Sequence, residues 1–172
     1  MTVDRFGVPD NLLGPHHEDF FGLIGRITLL SALLESRAFS LLQALGNYAQ
    51  NQNAHYTMSR IIKEAQKELE AHRAVIEPVE RAAIDAFLSA ASDCAKQRNV
   101  YVHSLWPVQA AGTYYGWTFA PRGTPTRSTS HVRLSREEVI ADLNRIVSAI
   151  GLWDRAWTAV SGRWHIQVGE RS

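Results

Sequence analysis

Residues 78–103 read PVERAAIDAFLSAASDCAKQRNVYVH, and the way this run folds sets the class of the whole chain. Pro78 suits the first turn of a helix, where its missing N–H is not needed. Small and apolar residues then recur on one helical face through Ala82, Ala83, Ala86, Phe87, Ala90 and Cys94. The pattern carries to about His103, and Pro107 forbids continuation. So many small side chains predict close approach to a neighbouring helix.

Working outward, the segment from His16 to about Asn47 places Phe20, Leu23, Ile24, Ile27, Leu30, Leu34, Ala38, Leu41, Leu42 and Leu45 at helical spacing. One helix of roughly 45 Å is predicted, with Gly46-Asn47 as its stop and its first turns weakened by Gly22 and Gly25. Residues 1–15, with Pro9, Asn11, Gly14 and Pro15, read as an irregular arm. The polar loop at residues 50–53 precedes a helix capped by Thr57 or Ser59, with Ile61, Ile62, Ala65 and Leu69 on its inner face.

Downstream the period changes. Residues 113–119 are β-branched and aromatic, residues 128–134 alternate weakly, and Pro121-Arg122-Gly123-Thr124-Pro125 lies between them as turn chemistry. A β-hairpin or extended lid over 113–133 is expected. Ser135-Arg136-Glu137-Glu138 is a capping box that opens a last helix. Its core side carries Val139, Leu143, Ile146, Val147, Ile150, Trp153 and Trp157, and Gly162 ends it. The expected architecture is an all-α bundle of four to five helices with a hairpin insertion before the last one. A single domain over 16–161 and a tail over 162–172 follow from it.

Composition narrows the function classes. A chain of 172 residues, 45% hydrophobic, supports one domain with a real core rather than two. A net charge of +1 advertises no polyanion by global field. Lys63, Lys67 and Lys96 are the only lysines, and every other cation is Arg, the better bidentate phosphate ligand; biased codon use explains this equally well. The single cysteine, Cys94, excludes an intrachain disulfide framework and reads as a packing thiol. Residues 1–5 lack the basic start and apolar run of a secretory signal, and no apolar stretch approaches the ~20 residues of a membrane span. A soluble, cytoplasmic protein is expected.

The chemistry concentrates in Arg98, Asn99 and His103, a cation, an amide and an imidazole able to handle a phosphodiester without a metal. Asn99 and His103 are four apart and share a helix face. Arg98, five before His103, lies about 140° round the axis from it in a regular helix. Two arrangements bring both groups to one atom: loosening of the helix near His103, or a second copy across a two-fold axis. The plainer alternative is that both cations merely complement the helix C-terminus, at ~0.3–1 kcal/mol each, while Asn99 bonds a carbonyl.

Other groups are weaker candidates. His16-His17-Glu18-Asp19 reads as solvated charge. Glu64, Glu68 and His72 line up at four-residue steps but lack the Glu-x-x-His spacing of a di-iron bundle, so no metal is expected. Trp153 and Trp157 read as core. His131, near Arg127 and Arg133, suits either an RNA contact or a solvated edge strand. Trp106, Tyr114, Tyr115 and Trp117 suit base stacking, or else a core cap or dimer contact.

Arg98-Asn99, three residues, then His103, on the penultimate long helix of a small bundle, resembles the HEPN domain signature of Arg, a polar residue and His. Ser104-Leu105-Trp106 is similar to the segment after that His in many bacterial members. Leu33-Leu34-Glu35 places an acid on the first helix, as many members do. The resemblance implies a metal-independent, cofactor-free endoribonuclease of toxin or phage-defence type. It would act on RNA as a homodimer whose motifs meet at the interface, with an antitoxin protein as a further partner. His103 would be general acid or base, since histidine's ordinary pKa of about 6.5 suits neutral pH. Arg98 would hold the phosphate, and Asn99 would orient the imidazole or bond a non-bridging oxygen. Tyr101, Trp106, Arg122, Arg127 and Arg133 are candidate substrate contacts, with Glu35 a supporting residue or an ion-pair partner of Arg98. The alternative is a non-catalytic dimeric HEPN-like module that binds RNA or a protein and keeps the motif for structure.

Overall fold

The apolar spacing between Phe20 and Leu45 forms one helix, α1 (Glu18–Gly46). The computed structural model describes residues 18–46, 56–110, 112–119 and 129–168. After α1 come α2 (Met58–Ala71), α3 (Pro78–His103), β1 (Ser104–Ala110), β2 (Thr113–Phe119), β3 (Thr129–Ser135), α4 (Arg136–Gly151) and α5 (Trp153–Val168). The protein is mainly helical, with one small antiparallel sheet. No described helix is long and apolar enough to cross a membrane. The chain forms two compact units that are not sequential: Met1–Thr28 with Gln97–Asn144, and Leu29–Lys96 with Arg145–Ser172.

The second unit is helical, and its interior is mainly hydrocarbon, with the buried Ser31 hydroxyl unpartnered among the described residues. Leu34, Ala38, Leu41, Leu42 and Leu45 of α1, all four predicted residues of α2, and Ile84, Phe87, Leu88, Ala91 and Cys94 of α3 are buried. Each fully buried large side chain contributes about 1.5–3 kcal/mol relative to exposure. The backbone oxygen of Thr57 opens α2 by accepting from the N–H groups of Arg60 and Ile61 at 2.9 and 3.0 Å, while the Thr57 side chain makes no capping bond. The Arg81 guanidinium bonds Glu70 at 2.5 Å and reaches Asp85 at 3.7 Å. That hydrogen bond, and then the charge of Arg81, hold the Glu70 carboxyl below its ordinary range. Arg37 donates to the backbone oxygen of Ile150 at 2.9 Å, satisfying a carbonyl in the last turn of α4.

Two expectations for these helices change. The inner face of α3 is rotated, because Ala82 and Ala86 are exposed while Ile84 and Leu88 are buried. Branched side chains bury far more area than alanine, so they set which face turns inward. The final helix is broken: α4 ends at Gly151, Leu152 forms a tight turn to Ala149, and α5 continues past Gly162 to Val168. In α4 the buried face runs through Val139, Ile146 and Ala149, leaving Val147 exposed and Leu143 and Ile150 half-buried, and in α5 Ala156 and Val160 are buried. Trp153 packs edge-on against Phe87 at 5.5 Å and stacks on Trp157 at 5.0 Å, the latter partly exposed.

The first unit is built on the sheet, in the order β1-β2-β3. Strands β2 and β3 form the expected hairpin, from Thr113↔Ser135 to Phe119↔Thr129. Ser135 ends β3 and caps α4: its N–H donates to Glu138 Oε2 at 2.6 Å, and its Oγ accepts from the Glu138 N–H at 3.2 Å. Strand β1 is an addition to the expected hairpin. It begins one residue after α3, and its register shifts between Leu105 and Val108. Pro107 lies within that irregularity of an edge strand, where a missing N–H is tolerated.

Candidate functional site

Helix α3 stays regular through His103, and the Ser104 hydroxyl extends it by donating to the backbone oxygen of Val100. The chain then turns into β1, and the Trp106 indole N–H donates back to the Tyr101 backbone oxygen at 3.0 Å. Two orphan carbonyls of the last helical turn are thus satisfied by side chains of the following strand. Ser104-Leu105-Trp106 therefore has a structural role here: it caps α3 and fixes where the chain bearing His103 turns.

The capping works from a packed interior. Tyr101, 2% exposed, stacks on Trp106 with ring centres 6.2 Å apart. Phe20 meets Trp106 edge-on at 5.6 Å and Tyr114 at 4.4 Å. The Tyr101 hydroxyl donates to Asp142 Oδ2 at 2.5 Å, and Gln97 Nε2 donates to the same oxygen at 2.6 Å. Asp142 is 3% exposed, so one turn of α3 and the first turns of α4 share a buried polar link. Burial, and then the bond and charge of Asp142, push the Tyr101 phenol above its ordinary value. Tyr114 is also raised by burial, yet its hydroxyl finds no partner among the described residues. At Gly116 a Cβ would sit 2.7 Å from the Trp106 ring, so the strand crosses that indole only as glycine.

The candidate chemical groups lie at the rim of this core. Arg98 is half-buried, while Asn99 and His103 are exposed. Arg98 Nη1 donates to Asn99 Oδ1 at 3.4 Å, so this pair is brought together. The Asn99 oxygen is turned to Arg98 rather than to His103, and its amide N–H groups remain available. His103 makes no hydrogen bond or ion pair to another described residue. Because α3 does not loosen, Arg98 stays about 140° round the axis from His103.

The remaining candidates separate by strand parity and burial. Tyr101 is a packing residue rather than a solvent-facing substrate contact, because its ring and hydroxyl are both committed inside. Trp106 is half-buried with its N–H spent on the helix cap. Arg133 is exposed, with its guanidinium 5.8 Å from the centre of the Tyr115 ring. Arg122 and Arg127 lie outside the described residues. Glu35 is half-buried on α1 in the helical unit, whereas Arg98 belongs to the sheet unit. Of the N-terminal acidic pair, Asp19 accepts from Arg136 at 3.1 Å; His16 and His17 lie outside the described residues. His72 follows α2, and its Nδ1 contacts the backbone oxygen of Glu68 at 2.8 Å. Among the described residues no group of three or more His, Cys, Asp or Glu side chains is placed to hold a metal ion.

One feature beside the motif escaped the sequence. Leu105, two residues after His103, is 54% exposed and pairs with Trp117, which is 41% exposed. The alternation that buries Tyr114 and Gly116 turns Tyr115 and Trp117 to the other face. The period of two was the available signal, but without β1 it did not tell which face was covered. Comparison of the chain with protein-family models, with curated proteins and with solved structures returns no match.

Proposed function

We propose that this chain is a HEPN-like endoribonuclease of the toxin or phage-defence kind, working without a metal as a cytoplasmic homodimer. The observation that carries this is the exposed His103 imidazole at the end of α3, one turn beyond the hydrogen-bonded Arg98–Asn99 pair. His103 has no bond to another described residue, and the cap carbonyls are satisfied by Ser104 and Trp106. That favours a chemical role for the imidazole over the purely structural role of a non-catalytic binding module.

In the proposed reaction the ribose 2′-oxygen attacks the adjacent phosphorus. The P–O2′ bond forms and the P–O5′ bond breaks, leaving a 2′,3′-cyclic phosphate and a 5′-hydroxyl. His103 carries the proton, taking it from the 2′-oxygen or giving it to the departing 5′-oxygen. Arg98 offsets the charge on the non-bridging oxygens, with an Asn99 N–H directed to the same anion. Since Arg98 and His103 diverge on one regular helix, the guanidinium and imidazole at each phosphate come from two copies of the chain.

The test is cleavage of RNA by the purified protein in EDTA. Arg98→Ala and His103→Ala should each abolish it with little change in melting temperature. Mixed dimers of the two variants should recover up to about a quarter of wild-type activity, since statistical pairing about a two-fold axis restores one site in half of the dimers. Cleavage that survives His103→Ala overturns the mechanism, and a loss of folding in that variant would support the structural role instead.

A further inference from the structure

The outward face of the sheet carries Leu105, Tyr115, Trp117, His131 and Arg133, all exposed. Register aligns Leu105, Trp117 and His131 in one row across the strands, and sets Tyr115 beside Arg133 in the next. The Trp117 and His131 rings stand perpendicular, 89° apart with centres at 6.1 Å, so neither is stacked on the other. Trp117 and Tyr115 are two residues apart on one strand, about 6.8 Å at the usual rise. An exposed pair of aromatic rings on a sheet is a poor surface to leave in water.

Charge says what would cover it. Residues 104–135 contain three arginines and one histidine and no Asp or Glu. The chain has 18 Lys and Arg against 17 Asp and Glu, so the rest of it holds all 17 carboxylates against 15 cations. On the described strands Arg133 and His131 stand on the same face as the exposed Tyr115 and Trp117 rings, and β1, β2 and β3 contain no Asp or Glu. Rings beside an arginine and a histidine, on strands without carboxylates, fit unpaired bases on a phosphate backbone.

We propose that this outward face is a stacking platform for single-stranded RNA, with bases on Trp117 and Tyr115 and the backbone near Arg133. Naming unpaired RNA as the occupant rests on the ribonuclease reading above. Connectivity brings the platform close to the motif. Two residues of chain span at most about 7 Å, and paired strands lie about 5 Å apart, which puts the His103 backbone within about 12 Å of Trp117. An RNA held on the sheet would thus have phosphates within a few nucleotides' reach of His103.

The test uses full-length protein and a fluorescent 2′-O-methyl oligouridylate of roughly a dozen nucleotides, which binds as RNA but offers no 2′-hydroxyl to react. Wild type should bind at low salt. Trp117→Ala and Tyr115→Ala should each weaken binding about tenfold or more, with Trp117→Phe retaining most of it. Arg133→Gln should lower the salt slope by about one. A duplex of equal length should compete poorly, because its bases are not free to stack. Absence of binding, equal competition by duplex, or unchanged affinity in both alanine variants overturns the platform. A shift of Trp117→Ala from dimer to monomer in sedimentation, with oligonucleotide affinity unchanged, overturns it in favour of a second copy of the chain. Cleavage is read separately on unmodified RNA, so binding without cleavage fails only the ribonuclease mechanism, and cleavage without stacking fails only the platform.

Discussion

The helical unit and the sheet unit are held by different physics. The helical unit is filled mainly with Leu, Ile, Phe and Ala, and its Arg81–Glu70 ion pair lies toward the surface. The sheet unit encloses an aromatic cluster of Phe20, Tyr101, Trp106 and Tyr114, and through Tyr101 it reaches a buried carboxyl group that accepts hydrogen bonds from Tyr101 and Gln97. Hydrocarbon burial is tolerant of exact partners and scales with area, whereas a buried polar link depends on every member being satisfied. The candidate chemistry and the exposed rings both belong to the unit whose aromatic interior holds a buried polar link.

The sharpest way to break the hydrocarbon side is Phe87→Ala. The ring is fully buried against Trp153, so the variant should lose about 3–5 kcal/mol in denaturant unfolding. A loss under 1 kcal/mol would show that the site collapses to fill the space. On the polar side, Asp142→Ala strands the Tyr101 hydroxyl and the Gln97 amide, and should cost about 3 kcal/mol by the same measurement.

Gly116→Ala tests the close crossing at Trp106. The added methyl cannot fit without moving the indole, and overpacking of this kind costs about 1–3 kcal/mol. Trp106 fluorescence and melting temperature should move together; a stable variant with unchanged emission would show that the strand yields instead.

The finest comparison is between two buried tyrosines. Tyr101→Phe removes a satisfied hydroxyl and should cost about 1–2 kcal/mol, while Tyr114→Phe removes an unpartnered one and should be neutral or slightly stabilising. The folded state holds the Tyr101 phenol protonated above its ordinary value. Its contribution is therefore fully present below the unfolded value of about 10, and is lost as pH rises past it. Unfolding curves from pH 8 upward should show a steeper alkaline loss for wild type than for Tyr101→Phe.

Much of the secondary structure was legible. Helix α2 buries the four residues its spacing named, the hairpin strands match to within one residue, and the Ser135–Glu138 capping box forms with both bonds. These signals are local: a period, a cap, a turn. The helix break at Gly151–Leu152 was hidden, because one residue of tight turn leaves the apolar periodicity almost undisturbed. Strand β1 was hidden as well, since Pro107 argues against a strand and only an irregular edge position accommodates it. Among the site residues, the shared face of Asn99 and His103 followed from helical spacing, and so did the divergence of Arg98.

What the sequence determined alone was therefore everything set within a few residues along the chain: helices, hairpin, cap, and the motif at the end of α3. Tertiary structure decided the rest. Tyr101 turned inward because Asp142, 41 residues later, offers its acceptor. Trp106 went under the sheet because Gly116 leaves room for its ring. Tyr115 and Trp117 were left outside because their neighbours on the strand took the core. Such outcomes depend on which distant groups arrive at the same place, and a one-dimensional pattern does not contain that distance.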